Sequence, residues 1–380
     1  MVENPRIIAV EWGSLQGQRP RPAGYNARLS EHGSSVRVPL LRLTTEDGSQ
    51  GFGWCNTDRQ AASRLLGMQL NAVFAPEQGV LDAWQRFDYP LWDLVGQRAG
   101  LPVYAMVATM TGANAPVSLR VPCYDTSLYF DDLHLSSHEQ AAQWLAAEAR
   151  EGYERGHRSF KVKVGRGARH LPLEEGTRRD IAVIQAIREA LGRQVKIMID
   201  ANNGYNLNLA KYVLAETATC DIFWIEEAFH EDDVLYRDLH TWLKEHQLPV
   251  LISDGEGKAD PHLLEWAKEG VVDVMQYDIM SHGFTRWLAT GKLLDEWNAR
   301  SAPHHYGTHY GNYTAAHLAG AVRGLTFVEW DEATTSGLDT SGYSISEGSV
   351  LVPDTPGFGL ALDEEIFQRT VRETGFAFSA

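Results

Sequence analysis

From Pro122 onward the chain repeats one unit, a short apolar strand followed by a helix, and this repetition limits the fold more than any other feature. The strands read as VPCYDT, SFKVKV, VKIMID, IFWIEE, PVLISD, VVDVMQYD, RSAPHH and LTFVEW. Between them, stretches such as RRDIAVIQAIREALG and DPHLLEWAKEG carry apolar residues at helical spacing and stop at glycine. Strands alternating with helices build a parallel sheet, open or closed. Seven or eight such units in roughly 210 residues suit a closed barrel.

The acids fall at the ends of these strands. VKIMID delivers Asp200, IFWIEE delivers Glu226 and Glu227, and PVLISDGE delivers Asp254 and Glu256. VDVMQYD ends in Asp278, RSAPHH in His304 and His305, and LTFVEW carries Glu329. In a parallel barrel these ends open onto one mouth, where active sites are built. A single acid there is more often a helix cap or a solvated loop residue, but six successive strands repeat the pattern. Converging carboxylates repel one another unless a cation sits among them. Oxygen ligands without a cysteine or a crowd of histidines suit a hard divalent ion such as Mg²⁺. The strand SFKVKV adds two amines to one face, because Lys161 and Lys163 lie two residues apart. Such a pair is stable beside a carboxylate-metal cluster, and one lysine of the pair can then serve as a base.

The remaining sequence bounds the alternatives. A net charge of −16 over 380 residues argues against a nucleic-acid partner. No apolar segment is long enough for a membrane span, and the N-terminus lacks a secretory pattern, so a cytoplasmic protein is expected. The three cysteines are widely spaced and read as reduced thiols. Residues 1–121 read as an α+β domain: VPLLRLTTEDGSQGFGWC is a hairpin, and FDYPLWDLVGQRAG is an amphipathic helix stopping at Gly100. The stretch from Gly13 to Ser35 reads as a long loop and a candidate lid, with Arg19, Arg21, Asn26, Arg28 and His32. Residues 122–340 form the barrel, and residues 341–380 lack its periodicity and are expected to return to the N-terminal domain. GRGARHLPLEEG, after the lysine strand, reads as an insertion; it lacks the third glycine of a dinucleotide fingerprint.

The order K-x-K, D-x-N, E-E, G-E, Asp, P-H and E along the chain resembles the enolase superfamily, and within it the mandelate racemase subgroup. LTTEDGSQGFGWC resembles that family's capping-domain hairpin, and FDYPLWDLVGQRAGLPVY its A-L-W-D-x-x-G-K-x-x-G-x-P helix. The resemblance implies a modified TIM barrel of (β/α)7β type, with an α+β N-terminal capping domain completed by the C-terminal tail. It implies one Mg²⁺ per subunit on Asp200, Glu226 and Glu256, with Gly-Glu favouring Glu256 over Asp254 and Glu227 structural. It places Lys161 on the substrate carboxylate, Lys163 as base on one face of the α-carbon, the Asp278–His304 dyad on the other, and Glu329 at the developing enolate. Asn202 would contact substrate, with Arg28 and His32 from the candidate lid. His304 is favoured over His305 because it follows the proline, and His309 and His282 read as packing or surface residues. Subgroups with a lysine near the place of Asp278 fit less well. The implied enzyme is a Mg²⁺-dependent lyase that dehydrates an acid sugar to a 2-keto-3-deoxy acid. Racemisation, epimerisation or lactone cycloisomerisation is the alternative, and a small-molecule carboxylate and a homo-oligomer are the expected partner and state. A non-catalytic barrel is the remaining rival, yet every expected position carries a competent residue.

Overall fold

In the computed structural model, which describes residues 3–380, all eight predicted strands form and run parallel to their neighbours. They are Leu119–Leu128, Ser159–Lys163, Lys196–Asp200, Ile222–Glu226, Leu251–Asp254, Val274–Met275, Arg300–Ser301 and Val328–Trp330, called here the first to eighth barrel strands. The eighth pairs with the first, and the seventh meets the approach to the eighth through a bridge between Ser301 and Leu325. The ring therefore closes. The sixth and seventh strands are shorter than predicted. Pro303 has no N–H to donate to a ladder, so the chain leaves the sheet before His304.

Alternation along the strands sorts the side chains. Phe160, Val162, Ile197, Ile199, Ile225 and Ile252 are fully or almost fully buried in the main core. On the inward face, Tyr124, Met198, Trp224, Val274, Ala302 and Phe327 form a separate apolar plug inside the barrel. Residues two positions further along four of these strands are Thr126, Asp200, Glu226 and Gln276. The strand period thus sets a polar layer directly above an apolar floor.

The capping sheet begins with Ile7–Ala23, antiparallel to Gly33–Thr45, which pairs with Gln50–Trp54. Helix Asp88–Ala99 lies on that last strand and ends at Gly100, in the left-handed region at φ 65°. The approach is so close that a Cβ at Gly51 would stand 2.2 Å from Leu94 Cα, which only glycine permits. The predicted loop from Gly13 to Ser35 is mostly strand; the connection spans only residues 24–32. Pro20 and Pro22 disguise the strand, but they fall in the irregular stretch between Gln18 and Ala23, where no ladder N–H is required.

The predicted insertion after the lysine strand is likewise structural. It forms a turn and the start of helix Leu173–Leu191, with Arg166 fully buried between Asp132 and Asp180. Arg169 and His170 donate to the carbonyls of Arg28 and Asn26, fixing the capping loop above the barrel. In the tail, Ser349–Val352 pairs with the start of the first barrel strand, whereas Phe376–Ser379 pairs with Ala9–Trp12 of the capping sheet. No helix among the described residues is long and apolar enough to cross a membrane.

One buried histidine ties the barrel to its last loop. His157 Nε2 lies 2.6 Å from Glu332 Oε1, with Cys123 Sγ 4.0 Å from Nδ1. Burial opposes its charge, but Cys123, Glu332 and Asp125 outweigh it and raise the imidazole to about 10. A raised folded pKa stabilises the protein fully below the unfolded value of about 6.5 and loses that contribution as pH climbs through 10. Urea midpoints should fall between pH 7 and 10, and His157→Gln should flatten that part of the profile.

Candidate active site

Eight side chains predicted from the strand ends converge at the mouth. Lys161 Nζ lies 2.6 Å from Glu226 Oε1, 3.2 Å from Glu329 Oε1 and 3.5 Å from Asp200 Oδ2. Lys163 Nζ donates to Asp200 Oδ2. Both lysines are buried. Burial disfavours the Lys161 ammonium, yet Glu226, Glu329 and Asp200 hold its pKa well above the ordinary value. The carboxylates answer in kind: against burial, Lys163 and Lys161 draw Asp200 down to about 2.

Asp200, Glu226 and Glu256 each offer an oxygen within 4.8 Å of the others. These three fit a hard divalent ion. Burial, opposed by Lys161 but aided by Asp200 and Glu256, pushes Glu226 up to about 7. Glu256 Oε2 is buried without a hydrogen bond, although His304 Nε2 is only 3.1 Å away. Asp254, the rival third acid, is turned aside. It accepts from the Tyr236 hydroxyl and the Gly255 amide and lies outside the cluster.

His304 bridges the cluster to the sixth strand. Its Nδ1 lies 3.2 Å from Asp278 Oδ2 and its Nε2 3.9 Å from Glu329 Oε2. Burial works against its charge, but Glu256, Glu329 and Asp278 raise it to about 10. His305 turns the other way, its Nε2 donating to the Glu329 carbonyl at 2.7 Å. His309 is buried against Thr335, and His282 packs on Thr290, so neither joins the cluster. Glu329 accepts from Thr126 Oγ1 at 2.7 Å and from the His305 and Tyr306 amides at 2.7 and 3.0 Å. Three donors plus Lys161 keep it ionised.

The flanking candidates are held less tightly to the cluster. Asn202 is fully buried, donates to Glu227 at 2.7 Å, and has its Oδ1 unpartnered. Asn202, Asn203 and Glu227 all sit at positive φ, 42°, 60° and 41°, so strain collects where two strands deliver their acids. Arg28 reaches down from the capping loop to Glu256 at 2.9 Å and Glu227 at 3.3 Å. His32 sits edge-on to Tyr129 and Tyr306, with Nδ1 3.0 Å from the Gly24 carbonyl. Arg19 and Arg21 are committed elsewhere, to Asp331 and to Glu151 and Ser127.

Residues 144–366, more than half of the chain, match the family described as Enolase C-terminal domain-like. The chain belongs to the enolase superfamily. A mandelate racemase/muconate lactonizing protein from Geobacillus sp. Y412MC10, solved with magnesium and tartrate, is 47% identical; the match covers 99% of this chain and 97% of that one, with a TM-score of 0.96. A galacturonate dehydratase from Geobacillus sp., solved with D-galacturonate and 5-keto-4-deoxy-D-galacturonate, is 46% identical over the full length of both chains, with a TM-score of 0.94. Arabinonate dehydratase of Saccharolobus solfataricus is 27% identical over 289 residues, 74% of this chain and 70% of the relative.

Several parts of this superfamily site escaped the sequence reading. Gln276 Nε2 and Trp224 Nε1 donate to Glu226 Oε2 at 2.8 and 3.0 Å. Each stands two residues before a noted acid on the same strand, so the period-two rule could have found them. Thr126, Tyr129 and Tyr306 gave no comparable signal.

Proposed function

We propose that this protein is a Mg²⁺-dependent acid-sugar dehydratase acting on a hexuronate such as D-galacturonate. The observation that carries the reading is the cluster itself. Two amines from the second strand and a His–Asp pair from the sixth and seventh flank three carboxylates that fit one divalent ion. The substrate of the 46%-identical Geobacillus dehydratase supports the choice of acid sugar.

Asp200, Glu226 and Glu256 would hold the ion, with Gln276 and Trp224 fixing the Glu226 carboxylate. A bound Mg²⁺ supplies positive charge next to the substrate carboxylate. Lys161 places its ammonium at the same carboxylate, and Glu329, held by Thr126 and two amides, receives the hydrogen bond of the developing enediolate. Asp200, Glu256 and Glu226 keep Lys163 an ammonium against its burial; with the negative charge of those carboxylates offset, the amine can take the α-proton. His304, charged and oriented by Asp278, then gives its proton to the departing β-hydroxyl, which leaves as water. The enol left behind tautomerises to the keto-deoxy acid. Asn202, Arg28 and His32 would meet the sugar hydroxyls.

Because both flanks carry a proton-transferring group, racemisation is the second reading. Incubation with Mg²⁺ and a panel of uronates, aldonates and aldarates in D₂O separates them. Dehydration yields a keto-deoxy product, racemisation yields only deuterium at the α-carbon, and neither signal with any acid sugar refutes both. Cytoplasmic residence and a homo-oligomeric state belong to the same proposal. Three unpaired thiols at Cys55, Cys123 and Cys220 support the first, and light scattering tests the second.

A further inference from the structure

Lys163 has a second neighbour, an uncharged ring. Its Nζ stands 5.2 Å from the centroid of the Tyr129 ring. Tyr129 stacks on Tyr306, with centroids 4.8 Å apart and planes 29° from parallel. The Arg19 guanidinium lies 4.6 Å from the centroid of Tyr306. That guanidinium is buried and bidentate to Asp331, Nε to Oδ1 at 3.1 Å and Nη2 to Oδ2 at 2.8 Å.

We propose that Arg19, Tyr306 and Tyr129 form a positioning stack that fixes the direction of the Lys163 amine and links it to the first strand of the capping sheet. The chemistry favours such a line. Rings attract cations over their faces, and a planar guanidinium stacks where an ammonium would not. Lys163 is a four-carbon flexible side chain, and Asp200 alone constrains its tip from one side only. The Tyr129 ring walls off another side. Its hydroxyl makes no hydrogen bond among the described residues, so the ring, not the oxygen, holds the position. Tyr306 enters the site directly after His304 and His305, and Tyr129 directly after the first barrel strand. The stack therefore crosses from capping domain to barrel beside the reacting groups. Tyr129 and Tyr306 act through Lys163 and are positioning residues.

This inference rests on the proposed function for its kinetic arm only. With D-galacturonate and Mg²⁺, Tyr129→Leu should lower kcat by about 10²-fold, the scale of a base displaced by roughly 1 Å. The loss should fall more on kcat than on KM, because of the proposed substrate contacts only His32 packs on the altered ring. Tyr129→Phe keeps the ring and should restore kcat to within about threefold of wild type. Arg19→Lys keeps a charge on Asp331 but gives up the planar stack, and should lower kcat in the same direction. Crystal structures of the Leu and Phe variants supply an arm free of substrate: the Lys163 amine should leave its position in the first and hold it in the second. An unmoved Lys163 in Tyr129→Leu overturns the stack, as does equal damage from Leu and Phe. Unchanged kcat in Arg19→Lys overturns the link to the capping strand. Should the wild type turn over no acid sugar, the proposed function fails and the crystallographic comparison still decides this inference.

Discussion

Treated with a chelator, the protein should lose all turnover and recover it on addition of Mg²⁺. The expectation follows from three carboxylates whose oxygens lie within 4.8 Å of one another, with burial first and then Asp200 and Glu256 lifting Glu226 to about 7. Glu256 should matter more to the ion than its neighbours Asp254 and Gln276. Glu256→Gln removes the negative charge of a ligand, while Asp254→Asn alters an acid that Tyr236 and the Gly255 amide hold outside the cluster. Gln276→Leu, which removes one of the two donors to Glu226 Oε2 and the acceptor of the Ser253 hydroxyl, should weaken Mg²⁺ by roughly 10–100-fold. Titration calorimetry should therefore rank the losses as Glu256→Gln above Gln276→Leu, with Asp254→Asn close to wild type. Tight Mg²⁺ binding by Glu256→Gln would remove the third assignment.

The second large effect belongs to the two proton-transferring groups. Lys163 and His304 come from the second and seventh strands, three places apart around the closed ring. Lys163→Ala and His304→Asn should each cost about 10²–10⁴-fold in kcat, the range of general acid–base groups. They should fail differently. Lys163→Ala should abolish deuterium uptake at the α-carbon, whereas His304→Asn should leave exchange measurable while blocking loss of the β-hydroxyl. His305→Asn should act on stability, because its ring is buried on the Glu329 carbonyl and its neighbour alone faces the cluster. A His305 variant that kills exchange in a well-folded protein would shift the assignment by one residue.

The barrel was legible because burial on both faces of a parallel strand leaves an unmistakable apolar run, and because the acids at its ends have no packing reason to be there. Alternation carried the lysines as well: Lys161 and Lys163 lie on the face the sequence gives them, beside Met198 and Asp200 in the neighbouring register. Where residues serve two partners, the reading failed. Arg19 and Arg21 looked like lid residues because prolines interrupt the strand that bears them, yet both close ion pairs with the barrel. GRGARH looked like an insertion because Arg166 is a charge in a strand-to-helix connection; its two aspartates, Asp132 and Asp180, lie too far along the chain to be seen as partners. The Tyr129–Tyr306 stack is a contact between residues 177 positions apart, with no local pattern to announce it.

The pairing of Ala9–Trp12 with Phe376–Ser379 has a consequence for the order in which the molecule comes into being. The strand waits for its partner until all the residues that separate the two segments have been synthesised. Until then Ala9–Trp12 presents a free edge, open to strands of other nascent chains. The barrel lying between the two segments is built from neighbouring units and can assemble while that edge is still open, since contacts near in sequence form ahead of distant ones. The cap is then the last part to lock, over a mouth whose carboxylates and lysines are already in place.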